Sequence, residues 1–488
     1  MIFAPRVDLL AELEFVDFFV FILSLILTFC VVFYSHLKQK RKKEEESFLD
    51  YMLMGRRLTL PFFIATLVAT WYGGIFGVTE IAFESGLYNF ITQGVFWYIT
   101  YFIFALFLVD KIKAYEAITL PELAGKMFGK KARFLAAIFN FFNVVPVTYT
   151  ISLGILIKVF TGLSLFYSCL LGVGFACFYS LFGGFRAIVL SDFLQFFIMC
   201  FSVALVLFYS VNHFGLSFLF ENLPEAHFSF TGKNSLLTTF SWGFIALSTL
   251  VNPGFYQRCF AAETTSVAKK GIFVSTLIWF CFDLCTTLGA MYAAAVIPEA
   301  IPTEAYLTYS LQLLPHGLRG FFLAGIAATI LSTIDSYLFI ASNTLSYDLA
   351  PKRWKKSIIL SKLSMLFTGL FSVFLAMAFS GSIKAVWKTL GSYSAGCLLL
   401  PMILGYLKKD LVSDALFTVM TISSVLGITL WRYYGSKSID PLYIGLLLGA
   451  LSFLVTTTLT LALNSFKKQK NLKLISCDSS LPNFRTYD

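Results

Sequence analysis

Three hydroxyl side chains stand at helical spacing inside an apolar stretch of this 488-residue chain. Thr329, Ser332 and Thr333 occupy positions i, i+3 and i+4, so a helix would place them on one face. A dehydrated Na⁺ ion prefers carbonyl and hydroxyl oxygens, by the logic that governs other hard cations. The spacing therefore indicates a cation site. Hydroxyls in apolar helices also commonly donate back to the i−4 carbonyl, and the pattern alone leaves that alternative open.

An acidic residue, Asp335, follows in the same apolar stretch. An ionisable group at membrane depth is a functional candidate by default. We interpret Asp335 as part of an ion pathway, with a wet cytoplasmic vestibule as the alternative location.

Two apolar stretches carry residues that interrupt helices. Gly73, Gly74 and Gly77 lie within five residues of one another, and Pro253 lacks a backbone donor. Transporters often place solute and ion sites at such breaks in two related halves. Close helix packing and a simple helix end are the alternatives. The solute-contact candidates flank the breaks and are Trp71, Thr249 and Asn252.

The composition indicates a chain that lies in lipid. Apolar residues make up 58% and charged residues 13%, and Phe alone contributes 56 residues. Soluble domains contain roughly 45–50% apolar and about 25% charged residues. We expect an all-α polytopic membrane protein of about 13 transmembrane helices. The predicted spans are 15–36, 58–82, 89–110, 133–158, 162–182, 187–212, 235–254, 271–297, 318–348, 357–380, 384–406, 411–432 and 441–464.

The two interrupted spans are the second and the seventh, five spans apart. Spans 2–6 and 7–11 would then form two inverted five-helix repeats, with the remaining spans as additions. This predicts four regions. Residues 1–57 hold an extracellular segment, a first helix and a basic loop, 58–410 the transporter core, 411–464 two further helices, and 465–488 a cytoplasmic tail.

Lys and Arg fall mostly on one side of the predicted spans. With alternating spans, 28 of the 37 basic residues lie on the side of loop 37–57 and 8 on the other. Basic loops stay in the cytoplasm, so the N-terminus is predicted outside and the C-terminus cytoplasmic, in the plasma or inner membrane. This distribution explains the net charge of +10 without a nucleic acid partner.

Other chemistries find little support in the sequence. The nine Cys and four His show no metal-ligand spacing, so no transition metal is expected. An enzyme would need a cluster of His, Cys or acidic residues at one depth, and none is visible. No nucleotide-binding loop is present, so uphill transport would need a coupling ion.

Several motifs, in order, resemble those of the sodium:solute symporter family, which includes proline and pantothenate permeases and a sodium/galactose transporter. Residues 182–195 (FGGFRAIVLSDFLQ) are similar to its glycine–glycine loop and the helix start that follows. Residues 257–262 (QRCFAA) are similar to a stretch after its core helix six, and residues 325–336 (GIAATILSTIDS) are similar to its Ser-Thr core helix eight. With residues 69–71 (ATW), the resemblance covers roughly residues 45–405.

The resemblance implies a LeuT-type fold and sodium-coupled symport of a small solute, such as an amino acid, a vitamin or a sugar. It also implies the sodium ligands: the carbonyls of Ala69, Tyr72 and Thr329, and the hydroxyls of Ser332 and Thr333. Asp192 matches an acidic residue near the cytoplasmic ion exit; a structural ion pair with Arg186 is the alternative.

The sequence also departs from the family pattern. Trp71 stands where the proline permease carries an important Asp, which argues against proline and leaves the solute open. Asp335 could restore a negative charge, so proton coupling remains an alternative. A membrane sensor on the same fold is less favoured, because sensor relatives carry long cytoplasmic signalling domains and only 24 residues follow Asn464.

Overall fold

The structure is a computed structural model that describes residues 13–41, 47–182, 184–436 and 439–478. Gly183 of the glycine–glycine motif lies outside the described residues, as do the basic residues Lys42 and Lys43 of loop 37–57 and Arg485 of the tail. The described residues form helices joined by short connections, and the single β-bridge among them joins Leu58 and Ala262.

The helices of the first half run from the N-terminal span to the long twelfth helix. They are α1 (Phe15–Arg41), α2 (Phe48–Leu53), α3 (Leu60–Ala69), α4 (Ile75–Ser85), α5 (Leu87–Asn89), α6 (Phe96–Ile103), α7 (Val109–Ala114), α8 (Leu120–Met127), α9 (Lys130–Val144), α10 (Val147–Thr161), α11 (Leu165–Ser180) and α12 (Phe185–Phe214).

The helices of the second half follow a connection that holds one short helix. They are α13 (Ser217–Asn222), α14 (Leu236–Ala246), α15 (Pro253–Ala261), α16 (Thr265–Val296), α17 (Pro302–Leu313), α18 (Leu318–Asn343), α19 (Ile358–Ala378), α20 (Ile383–Ser394), α21 (Leu400–Leu407), α22 (Asp414–Tyr434) and α23 (Pro441–Asp478).

Both predicted helix breaks are present. Residues 70–74 separate α3 from α4, and Gly73 and Gly74 weaken the helix there, whereas Gly77 lies in the first turn of α4. In the second break, α14 tightens into a 3₁₀ turn at Leu247–Val251, and α15 begins at Pro253. The side-chain oxygen of Asn252 accepts bonds from the backbone N–H groups of Gly254 (2.8 Å) and Phe255 (3.3 Å). Asn252 is therefore the N-cap that restarts the helix.

Packing separates a central helix from peripheral ones. The most apolar stretch of residues 318–349, which contains α18, is entirely buried by protein, and α18 packs against α12, α1, α19 and α10. By contrast, only 17% of the corresponding stretch of α1 and 6% of that of α23 is buried. Exposed Phe and Leu side chains on these outer helices match a lipid-facing surface.

The count of 13 spans is not confirmed. Ten helical stretches among the described residues are long and apolar enough to cross a membrane. The other three predicted spans are broken or short: 58–82 and 235–254 contain the two breaks, and α11 has 16 residues. Hydropathy ignores such interruptions.

Candidate functional site

The first helix break meets the hydroxyl face of α18. The Ser332 hydroxyl oxygen lies 2.8 Å from the carbonyl oxygen of Ala69, and the Thr333 hydroxyl oxygen lies 3.3 Å from it. Ala69 ends α3, so its carbonyl has no continuing helix to accept from. Both hydroxyl side chains are fully buried. The structure thus brings Ala69, Ser332 and Thr333 together.

The same hydroxyls also make the back-bonds left open by the sequence. Ser332 lies 2.7 Å from the Ala328 carbonyl oxygen, and Thr333 lies 2.9 Å from that of Thr329. Each hydroxyl has one hydrogen. When those hydrogens point to the i−4 carbonyls, the hydroxyl lone pairs and the Ala69 carbonyl face one another without a donor between them. This surplus of buried oxygen acceptors suits a small hard cation.

Tyr72 lies beside the site because the residue that follows it, Gly73, packs against Thr333. A Cβ added at Gly73 would lie 2.6 Å from Thr333 Cβ and 2.9 Å from its hydroxyl oxygen. Only a glycine lets the backbone segment between α3 and α4 lie this close to α18. The ring of Tyr72 packs on Phe282 of α16, with ring centroids 4.3 Å apart. Tyr72 is thereby anchored beside the hydroxyl face.

Asp192 of α12 is buried near this oxygen cluster, and its charged partner was not predicted from the sequence. Its Oδ2 accepts a 2.5 Å bond from the Thr66 hydroxyl and lies 3.8 Å from the Arg258 guanidinium. The alternative prediction that Asp192 pairs with Arg186 is wrong. The buried cation beside Asp192 is Arg258 of α15, which is 1% exposed. The motif at residues 257–262 contains Arg258, but the motif does not indicate that Arg258 pairs with Asp192.

Arg258 connects three helices around the break. Its Nη2 lies within hydrogen-bond distance of the hydroxyls of Thr66 (3.1 Å), Thr70 (2.9 Å) and Ser336 (2.8 Å), which share its two hydrogens. Thr66 and Thr70 flank the end of α3, and Ser336 lies one turn beyond Ser332 on α18. The guanidinium therefore holds the end of α3 against α18 directly beside the oxygen cluster.

Asp335 faces away from this cluster, towards α11. Its Oδ2 accepts a 2.9 Å bond from the Tyr179 hydroxyl, and its Oδ1 is buried without a hydrogen-bond partner. The alternative prediction that Asp335 lies in a wet vestibule is wrong, because the residue is fully buried.

A cavity of about 150 Å³ lies between the two breaks. Its described lining contains no charged side chain. Rings and carboxamides dominate instead, contributed by Trp71, Tyr72, Trp97, Tyr149, Trp242, Tyr337, Trp387, Gln93, Asn143 and Asn252.

Two of the three predicted solute contacts line this cavity. Trp71 and Asn252 do so, whereas Thr249 does not, and the Thr249 hydroxyl is buried without a hydrogen-bond partner. Asn252 also donates from Nδ2 to the Tyr337 hydroxyl at 3.3 Å, which ties the second break to α18.

Comparison with known proteins decides the family. The sequence model of the sodium:solute symporter family matches residues 51–409. This chain belongs to the sodium:solute symporter family. As a symporter of that family, it is a multi-pass membrane transporter of small solutes coupled to sodium, and not an enzyme.

Individual relatives of this symporter are distant. It is 24% identical over 390 residues to a protein named sodium/glucose cotransporter from Vibrio parahaemolyticus, and that match covers 69% of each chain. It is 26% identical over 315 residues to the sodium/pantothenate symporter of Escherichia coli K12, covering 60% of this chain and 63% of the relative.

A solved structure shows the fold of the symporter. The substrate-bound, outward-open state of a Na⁺-coupled sialic acid symporter superposes with a TM-score of 0.75, at 17% identity, over 92% of this chain and 98% of that one. The LeuT-type fold expected from the resemblance is confirmed.

Proposed function

We propose that this symporter imports a small organic solute together with Na⁺ by alternating access. The observation that carries the proposal is the surplus of buried oxygen acceptors where the first helix break meets α18. The carbonyls of Ala69, Tyr72 and Thr329 and the hydroxyls of Ser332 and Thr333 would hold the ion. A bound Na⁺ would supply the positive charge that draws the end of α3 onto α18.

Asp192 and Asp335 belong to the proposed ion pathway on the far side of this site. The Oδ1 atom of each is buried without a hydrogen-bond partner, so each retains acceptor capacity. Arg258 lies 3.8 Å from Asp192 and bonds Ser336, the residue after Asp335. Movement of Arg258 would therefore expose or cover both carboxylates together.

The cavity supports a solute without net charge. Burying an unpaired charge is costly, and no described lining side chain offers a counter-charge. Indole and phenol rings suit the apolar faces of a solute, while Gln93, Asn143 and Asn252 suit its hydroxyl or amide groups. Among amino acids, vitamins and sugars, this favours a sugar or a zwitterionic amino acid over an anion such as pantothenate.

The proposed membrane orientation follows the basic residues. The N-terminus lies outside the cell membrane and the C-terminus in the cytoplasm. Residues 58–410 form the transporting core, after the 1–57 segment and before the 411–464 helices and the 465–488 tail. The solute, Na⁺ and the lipid bilayer are the proposed partners.

A sodium gradient supplies enough energy for such uptake. One Na⁺ crossing about 100 mV contributes roughly 2.3 kcal/mol. A tenfold concentration gradient adds about 1.4 kcal/mol. The total of about 3.7 kcal/mol sustains a solute gradient of several hundredfold, so one ion is sufficient.

Uptake into proteoliposomes tests the proposal. A radiolabelled panel of sugars, amino acids and pantothenate is offered with a Na⁺ gradient and a pH gradient imposed separately. We expect accumulation of an uncharged or zwitterionic solute only with the Na⁺ gradient. Accumulation that ignores Na⁺, follows the pH gradient and disappears in Asp335→Asn would support proton coupling instead.

A further inference from the structure

Besides Asp192 and Asp335, the buried carboxylate Asp283 lies on α16 with no role in the site described above. It is 2% exposed and lies well inside a predicted membrane span. An ionised carboxylate is costly there unless a cation accompanies it. No salt bridge among the described residues includes Asp283, which separates it from Asp192.

Most charged groups of α16 and its neighbouring helices bond to other partners, and Arg186, Glu221 and Lys270 form no described salt bridge with Asp283. Asp192 of α12 faces Arg258 of α15, and Lys269 of α16 itself pairs with Asp110 of α7. Lys111 and Lys113 of α7 donate to the backbone carbonyls of Tyr406 and Ala262. The remaining pairs join Glu80 and Glu84 of α4 to Lys384, and Glu304 of α17 to Lys158.

The described contacts of the Asp283 carboxyl include no basic group. The Tyr98 hydroxyl of α6 donates to Asp283 Oδ2, and Asp283 Oδ1 is buried without a partner. Cys281 and Cys285 lie two residues to either side on the same helix and therefore point to other faces, and α17 contributes the Tyr306 ring beside Gly289. These contacts offer no positive charge. Asp283 is therefore compatible with burial as the neutral acid.

The helix that contacts Asp283 also forms a wall of the central cavity. Gln93 and Trp97 line the cavity. Each is followed by a residue that lies next to the Asp283 carboxyl, namely Gly94 and Tyr98. A Cβ added at Gly94 would lie 2.8 Å from the Tyr98 hydroxyl oxygen and 3.4 Å from Asp283 Oδ2. The carboxyl and the cavity thus share one thin wall.

The helix that forms this wall changes from α-helical to π-helical geometry at this point. Residues Phe90–Val95 form a π-helical turn, a feature that frequently marks functional sites. Just before it, Asn89 donates from Nδ2 to the Thr287 hydroxyl at 2.9 Å, one turn from Asp283 on α16. The Nε2 of Gln93 is buried without a partner. The polar contacts between the wall and α16 therefore centre on Asp283 and are incompletely satisfied.

We propose that Asp283 is a proton-binding site whose occupancy controls the position of the cavity wall formed by residues 87–103. With the proton bound, the neutral carboxyl packs against Gly94 and Tyr98 as the structure shows. Loss of the proton leaves a charge without a counter-ion, which recruits water or displaces the wall. Proton binding and the cavity geometry are then linked reciprocally. This inference does not depend on which solute is transported or on its coupling ion.

The test uses the purified full-length protein in lipid nanodiscs without solute. Infrared difference spectra are recorded across a pH titration, together with intrinsic tryptophan fluorescence, to which Trp97 contributes as one of seven tryptophans. In the wild type we expect the carbonyl band of a protonated carboxylic acid to be lost as pH rises. The fluorescence should change with the same midpoint.

Three variants make the test specific. Asp283→Asn should lack both changes, whereas the exposed Asp110→Asn should retain both at the wild-type midpoint. Tyr98→Phe removes a donor that favours the ionised carboxylate, so both changes should move to higher pH. If Asp283→Asn does not fold, the Tyr98→Phe midpoint decides, and an unshifted value contradicts the proposal.

Other outcomes would also overturn it. A band and a fluorescence response retained in Asp283→Asn would place the proton elsewhere. A band present at every pH would make Asp283 a permanently neutral structural residue. A response that requires Na⁺ instead of a pH change, shown by replacing Na⁺ with N-methylglucamine, would make this a metal-cation site.

Discussion

At the residue scale, the two hydroxyls of α18 combine functions that the sequence presented as alternatives. Ser332 and Thr333 lie within bonding distance of both their i−4 carbonyls and Ala69. When the back-bond takes the hydrogen of each hydroxyl, its lone pairs turn towards the end of α3. Back-bonding is therefore compatible with cation binding and favours the orientation that binding needs.

Removing either hydroxyl should weaken Na⁺ dependence and leave folding intact. A polar contact with a charged group contributes about 1.5–3 kcal/mol. Ser332→Ala and Thr333→Ala should therefore raise the Na⁺ concentration for half-maximal uptake by roughly tenfold or more. Ser342→Ala is the matched control, because this buried α18 hydroxyl lies 2.8 Å from the Phe339 carbonyl, ten residues from the site. Equal Na⁺ dependence in all three variants would remove these hydroxyls from the ion site.

Arg258 and Asp192 should behave as one energetic unit. Removing one partner of a buried ion pair costs about 3–5 kcal/mol, because the other charge is left uncompensated. Asp192→Asn and Arg258→Gln should each lower the thermal unfolding temperature, and the double variant should lose less than the sum. Glu84→Gln, which alters the more exposed pair with Lys384, should have little effect. Additive losses in the double variant would mean that the two residues act independently.

At the element scale, the broken helix α3–α4 depends on glycines that allow close approach. A Cβ added at Gly73 would lie 2.6 Å from both Thr333 Cβ and Tyr149 Cδ1, closer than packed carbons come. Gly73→Ala should therefore push the break away from α18 and raise the Na⁺ requirement. Gly174→Ala on α11 is the control, since a Cβ there meets nothing within 4 Å. Uptake kinetics that match between the two variants would show that close approach at Gly73 is not needed.

The elements that were predictable are those encoded locally. Gly73 and Pro253 interrupt helices through their own backbone properties, and the spacing of the α18 hydroxyls defines a face in any helix. Thr249 shows a limit of this reasoning. It lies in the 3₁₀ turn Leu247–Val251, whose three residues per turn direct side chains differently from an α-helix.

Contacts between distant segments were not predictable in this way. Nothing near Asp192 in sequence indicates Arg258, which approaches it only because α15 packs beside α3. Likewise, Trp387 reaches the cavity from α20, and its ring packs where a Cβ of Gly74 would lie, 2.3 Å from Trp387 Cζ2. Such pairings depend on the tertiary arrangement, which hydropathy and spacing do not contain.

At the scale of the whole molecule, burial separates the transporting machinery from the lipid contact. The central helix α18 carries the hydroxyls and Asp335 and is surrounded by protein, whereas α1 and α23 expose most of their apolar surface. Polar groups are concentrated where lipid does not reach. This arrangement lets the proposed ion site, a neutral cavity and buried carboxylates coexist in a chain that is 58% apolar.

The proposed orientation of the molecule rests on where its basic residues lie, and it can be tested by labelling single cysteines. Lys356 belongs to a basic connection before α19 and is predicted to be cytoplasmic, whereas Lys233 precedes α14 and is predicted to be external. In intact cells, a membrane-impermeant maleimide should label Lys233→Cys and should label Lys356→Cys only after permeabilisation. The cysteine-containing parent is the control for background labelling. The reverse pattern would invert the proposed topology and, with it, the direction in which the broken helices open.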